Sequence, residues 1–218
     1  MTIPWLGRAD GEEIFSSLSR FKQFDNFCSR EYRPIEESIQ LDWCIFPGLY
    51  HHGYYAMTGV DPNTGRHVIW IRRPPANLTD AYLIAHEMMH VIREVEGLSF
   101  QFAERDHNYA DVAGYLRSVL DDRVVDLLLI NDYEFNVINH YIESMASSIE
   151  FLKEIDVQSI TDIRRIELIL INADNFLRWS LINNNDNFDQ IFVDIRMLLR
   201  RTDKFIGTCS IRISVTQL

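Results

Sequence analysis

Basic charge is scarce in this chain: 21 Lys and Arg stand against 32 Asp and Glu, a formal net charge of −11 at pH 7. A surface of that sign repels phosphate backbones, which argues against a nucleic-acid partner. The arginine pairs at 72–73, 164–165 and 200–201 sit among apolar or acidic neighbours and form no basic cluster. Cysteine is scarce as well. Cys28, Cys44 and Cys209 lie far apart, no CxxC occurs, and an odd number builds no disulfide framework, so a reducing compartment is expected. No run of about 18 apolar residues is present, and no transmembrane helix or membrane partner is expected. The opening stretch MTIPWLGRADGEEIF lacks a basic segment followed by an apolar one, so no signal peptide is expected either. Together these absences lead to the expectation of a soluble, cytoplasmic protein.

What the chain does have is apolar material. Hydrophobic residues make up 47% and aromatics 12% of 218 residues, enough for one compact domain or one domain with an extension. Ile14, Leu18, Phe21, Phe24 and Phe27 recur at helical spacing and predict one amphipathic helix over residues 10–30. The pattern then turns short, aromatic and β-branched at 38–46, 53–60 and 66–73, which reads as three strands. Asp61-Pro62-Asn63-Thr64-Gly65 carries the turn chemistry of a hairpin between the last two. After PPANLTD, a helix is expected to begin at a cap on Asn77 or Thr79 and to stop near Glu96, before Gly97. A second long helix is expected over about 108–130, then further helices over 133–155, 161–182 and 186–205, a turn at 183–187 and a short strand in the tail. A sheet followed by helices makes the expected class α+β.

Within the first long helix stands His86-Glu87-Met88-Met89-His90. Helix positions four apart lie one above the other, so both imidazoles can reach one Zn²⁺ at about 2.0–2.1 Å. Glu87, beside the first histidine, can act as general base on an activated water rather than as a ligand. Two histidines on a helix also occur as ordinary surface or core residues. The phase favours the metal: Ala81, Ile84, Ala85, Met88, Val91, Ile92 and Val95 form an apolar face, and Leu83, His86, Glu87, His90 and Glu94 form the stripe beside it. The histidines thus flank the core, where a cleft floor belongs.

Zinc of this kind needs a third protein ligand. No third histidine follows His90 at short spacing, and the candidate lies in SVLDDRVVDLLL on the next helix. Val112, Tyr115, Val119, Asp122, Asp126 and Leu129 share one stripe, so Asp122 is expected at the metal. Asp126, one turn on, is expected to accept a hydrogen bond from a ligand histidine. Asp121 falls with Arg117 and Ser118 on a stripe read as solvent-facing. Glu94, Glu104, Asp106 and His107 are weaker ligand candidates, and His51 and His52, in a turn context, read as surface residues.

The order helix, three strands, HEMMH helix and ligand helix resembles the gluzincin branch of the zincin metallopeptidases. The likeness is closest to the small intracellular kind related to minigluzincins and IrrE/ImmA-like proteins, and it covers roughly residues 10–130. It implies zinc at His86 and His90, Glu87 as general base, and a third ligand with an outer carboxylate at Asp122 and Asp126. The family places glutamate where this chain has Asp122, one methylene shorter, so the second helix must come closer. The resemblance also implies a His or Tyr that stabilises the oxyanion, for which His140 and Tyr133 are the nearest candidates. His140, beside Tyr141 on an expected helix, also fits an ordinary packed histidine. It further implies an extended peptide substrate pairing with an edge strand, here assigned to RHVIWIRR. The expected organisation is a zincin-like catalytic domain at 1–131 and a helical extension at 132–218. The expected function is a zinc-dependent peptidase acting on a peptide or protein. The alternative is a regulatory or interaction module with a structural or vestigial metal, against which the intact Glu87 speaks.

Overall fold

A computed structural model describes residues 7, 9–52, 55–99, 110–144, 146 and 174. The chain separates into two compact units, residues 1–102 with 120–137, and residues 103–119 with 138–218. The class is mixed α+β. Helices α1 (Gly11–Leu18) and α2 (Lys22–Phe27) lead through a π-turn at Cys28–Tyr32 and a 3-10 turn at Arg33–Ile35 into β1 (Leu41–Ile45). A 3-10 turn at Pro47–His52 precedes β2 (Ala56–Val60), β3 (His67–Ile71), α3 (Leu78–Val95) and α4 (Ala110–Tyr133). Residues 138–144 of the second unit are helical. The expected helices at 161–182 and 186–205, the turn at 183–187 and the tail strand lie outside the described residues. Among the described residues no helix is long and apolar enough to cross a membrane.

The single helix expected over 10–30 is broken. Ser17 and Ser19 turn their hydroxyls onto the carbonyls of Ile14 and Ser16 and compete with the helical ladder, and α1 ends at Leu18. The break lets two short helices fold over one aromatic cluster. Phe15 lies 5.1 Å from Tyr32, 5.6 Å from Trp43 and 6.2 Å from Phe24, centroid to centroid.

The sheet order is β1-β3-β2, with β1 parallel and β2 antiparallel to β3. β3 is therefore central, and Val68, Ile69, Trp70 and Ile71 are all buried because both of its faces are covered. Val68 and Trp70 pack with Cys44 and Leu49 on one face, with Phe46 and Met57 against them. Alternation turns Ile69 and Ile71 to the other face, which Trp43 shares through its pairing with Ile69. This position corrects the expectation that RHVIWIRR accepts a substrate strand: both edges of β3 are already paired, so among the described residues the open antiparallel edge belongs to β2. The hairpin turn at Asp61–Gly65 closes as the sequence suggests. Asp61 accepts from the Asn63 amide and the Thr64 hydroxyl, and Gly65 adopts φ 70°.

α3 is clamped at both ends. The Asn77 side chain accepts from the Asp80 amide at 2.8 Å, so Asn77 rather than Thr79 is the cap. Asp80 reaches back to the Ala76 amide at 2.7 Å and takes the Arg73 guanidinium in two bonds of 2.8 and 3.1 Å. The link from β3 into α3 is thereby held by charge-assisted bonds at the positive end of the helix. At the other end Gly97, at φ 72°, donates to the Glu94 carbonyl while Leu98 donates to that of Arg93. This is a Schellman stop, which only glycine enters without steric cost.

Asp121 departs from the sequence expectation. It is buried (5% exposed) and pairs with Arg93 (8% exposed) at 3.3 Å. Its stripe is set by Val125, one turn later and fully buried, rather than by Arg117 and Ser118 before it. Arg93 also donates to the Leu98 carbonyl, so the pair ties the end of α3 to α4. Removing one member leaves a buried charge unpaired. Asp121→Ala is expected to lower the unfolding free energy by about 3 kcal/mol. A urea midpoint shift at unchanged slope is the measurement, and a loss under about 1 kcal/mol would contradict the buried-pair reading.

Candidate metal centre

His86, Glu87 and His90 lie on one side of α3, next to its buried face of Ala81, Ile84, Ala85, Met88, Val91 and Ile92. Opposite them, α4 presents Asp122 and Asp126 one turn apart. Among the described residues, His86, His90 and Asp122 form a group whose donor atoms lie within 4.8 Å of one another. His86 Nε2 and His90 Nε2 are 3.0 Å apart, Asp122 Oδ1 is 3.1 Å from His90 Nε2, and it is 3.7 Å from His86 Nε2. Tetrahedral donors about 2.0–2.1 Å from a zinc ion stand roughly 3.3 Å apart, and the three separations bracket that spacing. Aspartate's shorter reach suffices here. Two imidazoles and one carboxylate suit zinc, and three protein donors leave a coordination position for water or substrate. The residues present therefore fit the ion that the motif implies.

The tautomer is set from behind. Asp126, 1% exposed, lies with Oδ1 2.9 Å from His86 Nδ1. A carboxylate only accepts, so Nδ1 carries a hydrogen, and Nε2 is the nitrogen that faces the other donors. The same Oδ1 accepts from the Tyr82 hydroxyl at 2.5 Å.

The electrostatics follow from this crowding. Burial works against a charged His86, but the Asp126 charge and the acceptor oxygens of Asp126 and Asp122 more than offset it, and His86 holds its proton well above the ordinary imidazole range. Burial would raise Asp122, yet its bonds to His86 and His90 keep it well below the usual carboxylate range. Both shifts come from the imidazoles and carboxylates facing one another. Burial pushes the Glu87 carboxyl up, while His86, His90 and the Thr58 backbone on β2 oppose it. Upward is the direction a carboxyl that takes up a proton requires.

Thr58 is placed by the strand register. The bonds Asp61 N to Arg66 O and Arg72 N to Tyr55 O put the amides of Tyr55, Met57, Gly59 and Asp61 on β3. The alternate residues Ala56, Thr58 and Val60 turn their backbone groups to the open edge. That edge runs past Glu87.

The structure does not bring Tyr133 to this group. Its hydroxyl bonds to Glu31, its ring stacks edge-on against Phe27, and it stands 11 residues beyond Asp122, about 16 Å along α4. Tyr133 is a buried tie between α4 and the π-turn, which corrects its candidacy for the oxyanion role. His140 lies in the second unit, on the 138–144 helix, its ring 6.2 Å from Tyr141. Glu94 is exposed on α3. Glu104, Asp106, His107 and the side chains of His51 and His52 lie outside the described residues. Tyr82 is the member of the cluster that reading the sequence passes over. An aromatic residue at helical spacing looks like ordinary core, and its one signal is its place a turn before His86. Comparison of the chain with protein-family models, with curated proteins and with solved structures returns no match.

Proposed function

We propose that this protein is a zinc-dependent peptidase of the zincin type. The observation that carries the reading is the convergence of His86, His90 and Asp122 with Glu87 beside them and Asp126 behind. A structural zinc site is closed by four protein donors and has no use for a general base. Here three donors converge, and the half-buried Glu87 carboxylate adjoins them. Zinc bound there supplies Lewis acidity and acidifies a water molecule. Asp126 keeps Nδ1–H of His86 engaged, so Nε2 stays free to ligate. Glu87 takes a proton from the attacking water and passes it to the leaving nitrogen. An extended peptide adds to the edge of β2 at Ala56 and Val60, on either side of Thr58, whose backbone bonds Glu87 and so sets the strand beside that carboxylate.

Two measurements test this reading. Elemental analysis of protein purified without chelators is expected to give about one zinc per chain, as a single three-donor site requires. A peptide library is expected to be cut by that protein and left intact after chelation, with activity restored by added zinc. Protein free of transition metals, or hydrolysis indifferent to chelation, would rule the reading out.

A further inference from the structure

Resting on that metal-site reading, we infer that Tyr82 is a positioning residue for zinc binding, acting through Asp126 and His86. Three observations carry it. First, Tyr82, His86 and His90 stand at successive four-residue steps of α3 and share one face, which lets Tyr82 and His86 reach the same α4 carboxylate. Second, the Tyr82 hydroxyl and His86 Nδ1–H donate to the same oxygen, Asp126 Oδ1, at 2.5 and 2.9 Å. A short O–H···O⁻ bond of this kind is charge-assisted and directional. Third, the phenol has little freedom. Tyr82 is 3% exposed, its ring is 5.9 Å from Phe135 and 6.0 Å from His86, and α4 carries its acceptor.

Asp126 is joined to its backbone through two rotatable bonds, and the hydrogen bond from His86 holds Oδ1 from one direction. The Tyr82 hydroxyl supplies a second donor from a different direction. With both donors on Oδ1, the oxygen that orients His86 is held in place, and His86 meets the metal with Nε2. The order of influence is Tyr82, then Asp126, then His86.

A double-mutant cycle on the full chain tests the order. Zinc affinity is measured by competition with a chromogenic chelator for the wild type, Tyr82→Phe, Asp126→Ala and the double variant. Tyr82→Phe is expected to weaken zinc by about fivefold, the effect of one hydrogen bond. Asp126→Ala is expected to weaken it by about 10–100-fold. The double variant is expected to match Asp126→Ala, because the hydroxyl then has no Asp126 carboxylate through which to act on His86. A tyrosine that only packs the core would lower the melting temperature of the metal-free protein without this pattern in affinity. Full additivity, or Tyr82→Phe binding zinc as tightly as the wild type, overturns the inference while leaving the metal site standing. A wild type that binds no zinc overturns both. A second readout needs no variant. In the zinc-loaded wild type, imidazole ¹⁵N shifts are expected to show His86 protonated at Nδ1 and ligating through Nε2, and the opposite tautomer would overturn the order.

Discussion

Asp122→Ala is expected to weaken zinc binding by well over about 100-fold, more than any outer-shell change at this site. The carboxylate is the one anionic donor in the group, and its loss leaves two imidazoles 3.0 Å apart at their nitrogens and no anionic ligand for the ion. The fold is expected to survive. Asp122 is partly exposed, and the tie from α4 to α3 runs through Asp121 and Arg93 instead. The two adjacent aspartates therefore separate function from stability. Asp122→Ala removes the metal and keeps the melting behaviour of the metal-free protein, and Asp121→Ala does the reverse. Side chains one residue apart on a helix point about 100° apart, so an exchange of these phenotypes would mean that α4 is rotated by one position. Chelator competition and thermal melting of the two metal-free variants decide it.

The second large effect is at Glu87. Glu87→Gln keeps the volume and the position beside His86 but cannot accept a proton. Zinc content and melting temperature are expected to match the wild type, and peptide hydrolysis to fall by about 10²–10⁴-fold, the usual share of a positioned general base. A variant that hydrolyses at the wild-type rate would place the base elsewhere. One that loses zinc along with activity would make Glu87 a ligand, a fourth donor that the three-donor arrangement does not require.

Both predictions begin from features legible without a fold. His86 and His90 share a face because the α-helix repeats every 3.6 residues, and Glu87 follows His86 in the chain. The ends of α3 are local as well. Asn77 caps the helix through its own amide neighbours, and Gly97 stops it by accepting a positive φ. The hairpin at Asp61–Gly65 closes on side chains two and three residues away. Interactions confined to a few adjacent residues leave their mark in composition and spacing. The phase of α4 carried Asp122 and Asp126 to one stripe for the same reason.

The remaining decisions depend on which segment lies next to which. Asp121 shares a stripe with the exposed Ser118, yet it is buried because Arg93, 28 residues earlier, ends α3 against it. Tyr133 looked free to reach a substrate until Glu31, 102 residues away, took its hydroxyl. β3 took the edge-strand role only through the resemblance to zincins, and the β1-β3-β2 order makes it central and, among the described residues, leaves the open edge to β2. Tyr82 resembles core until Asp126, 44 residues on, places a carboxylate over it. Helical and strand periodicity state which direction a side chain leaves its own backbone. They do not state what occupies the space it enters, because that space is filled by distant segments whose packing the whole chain settles together.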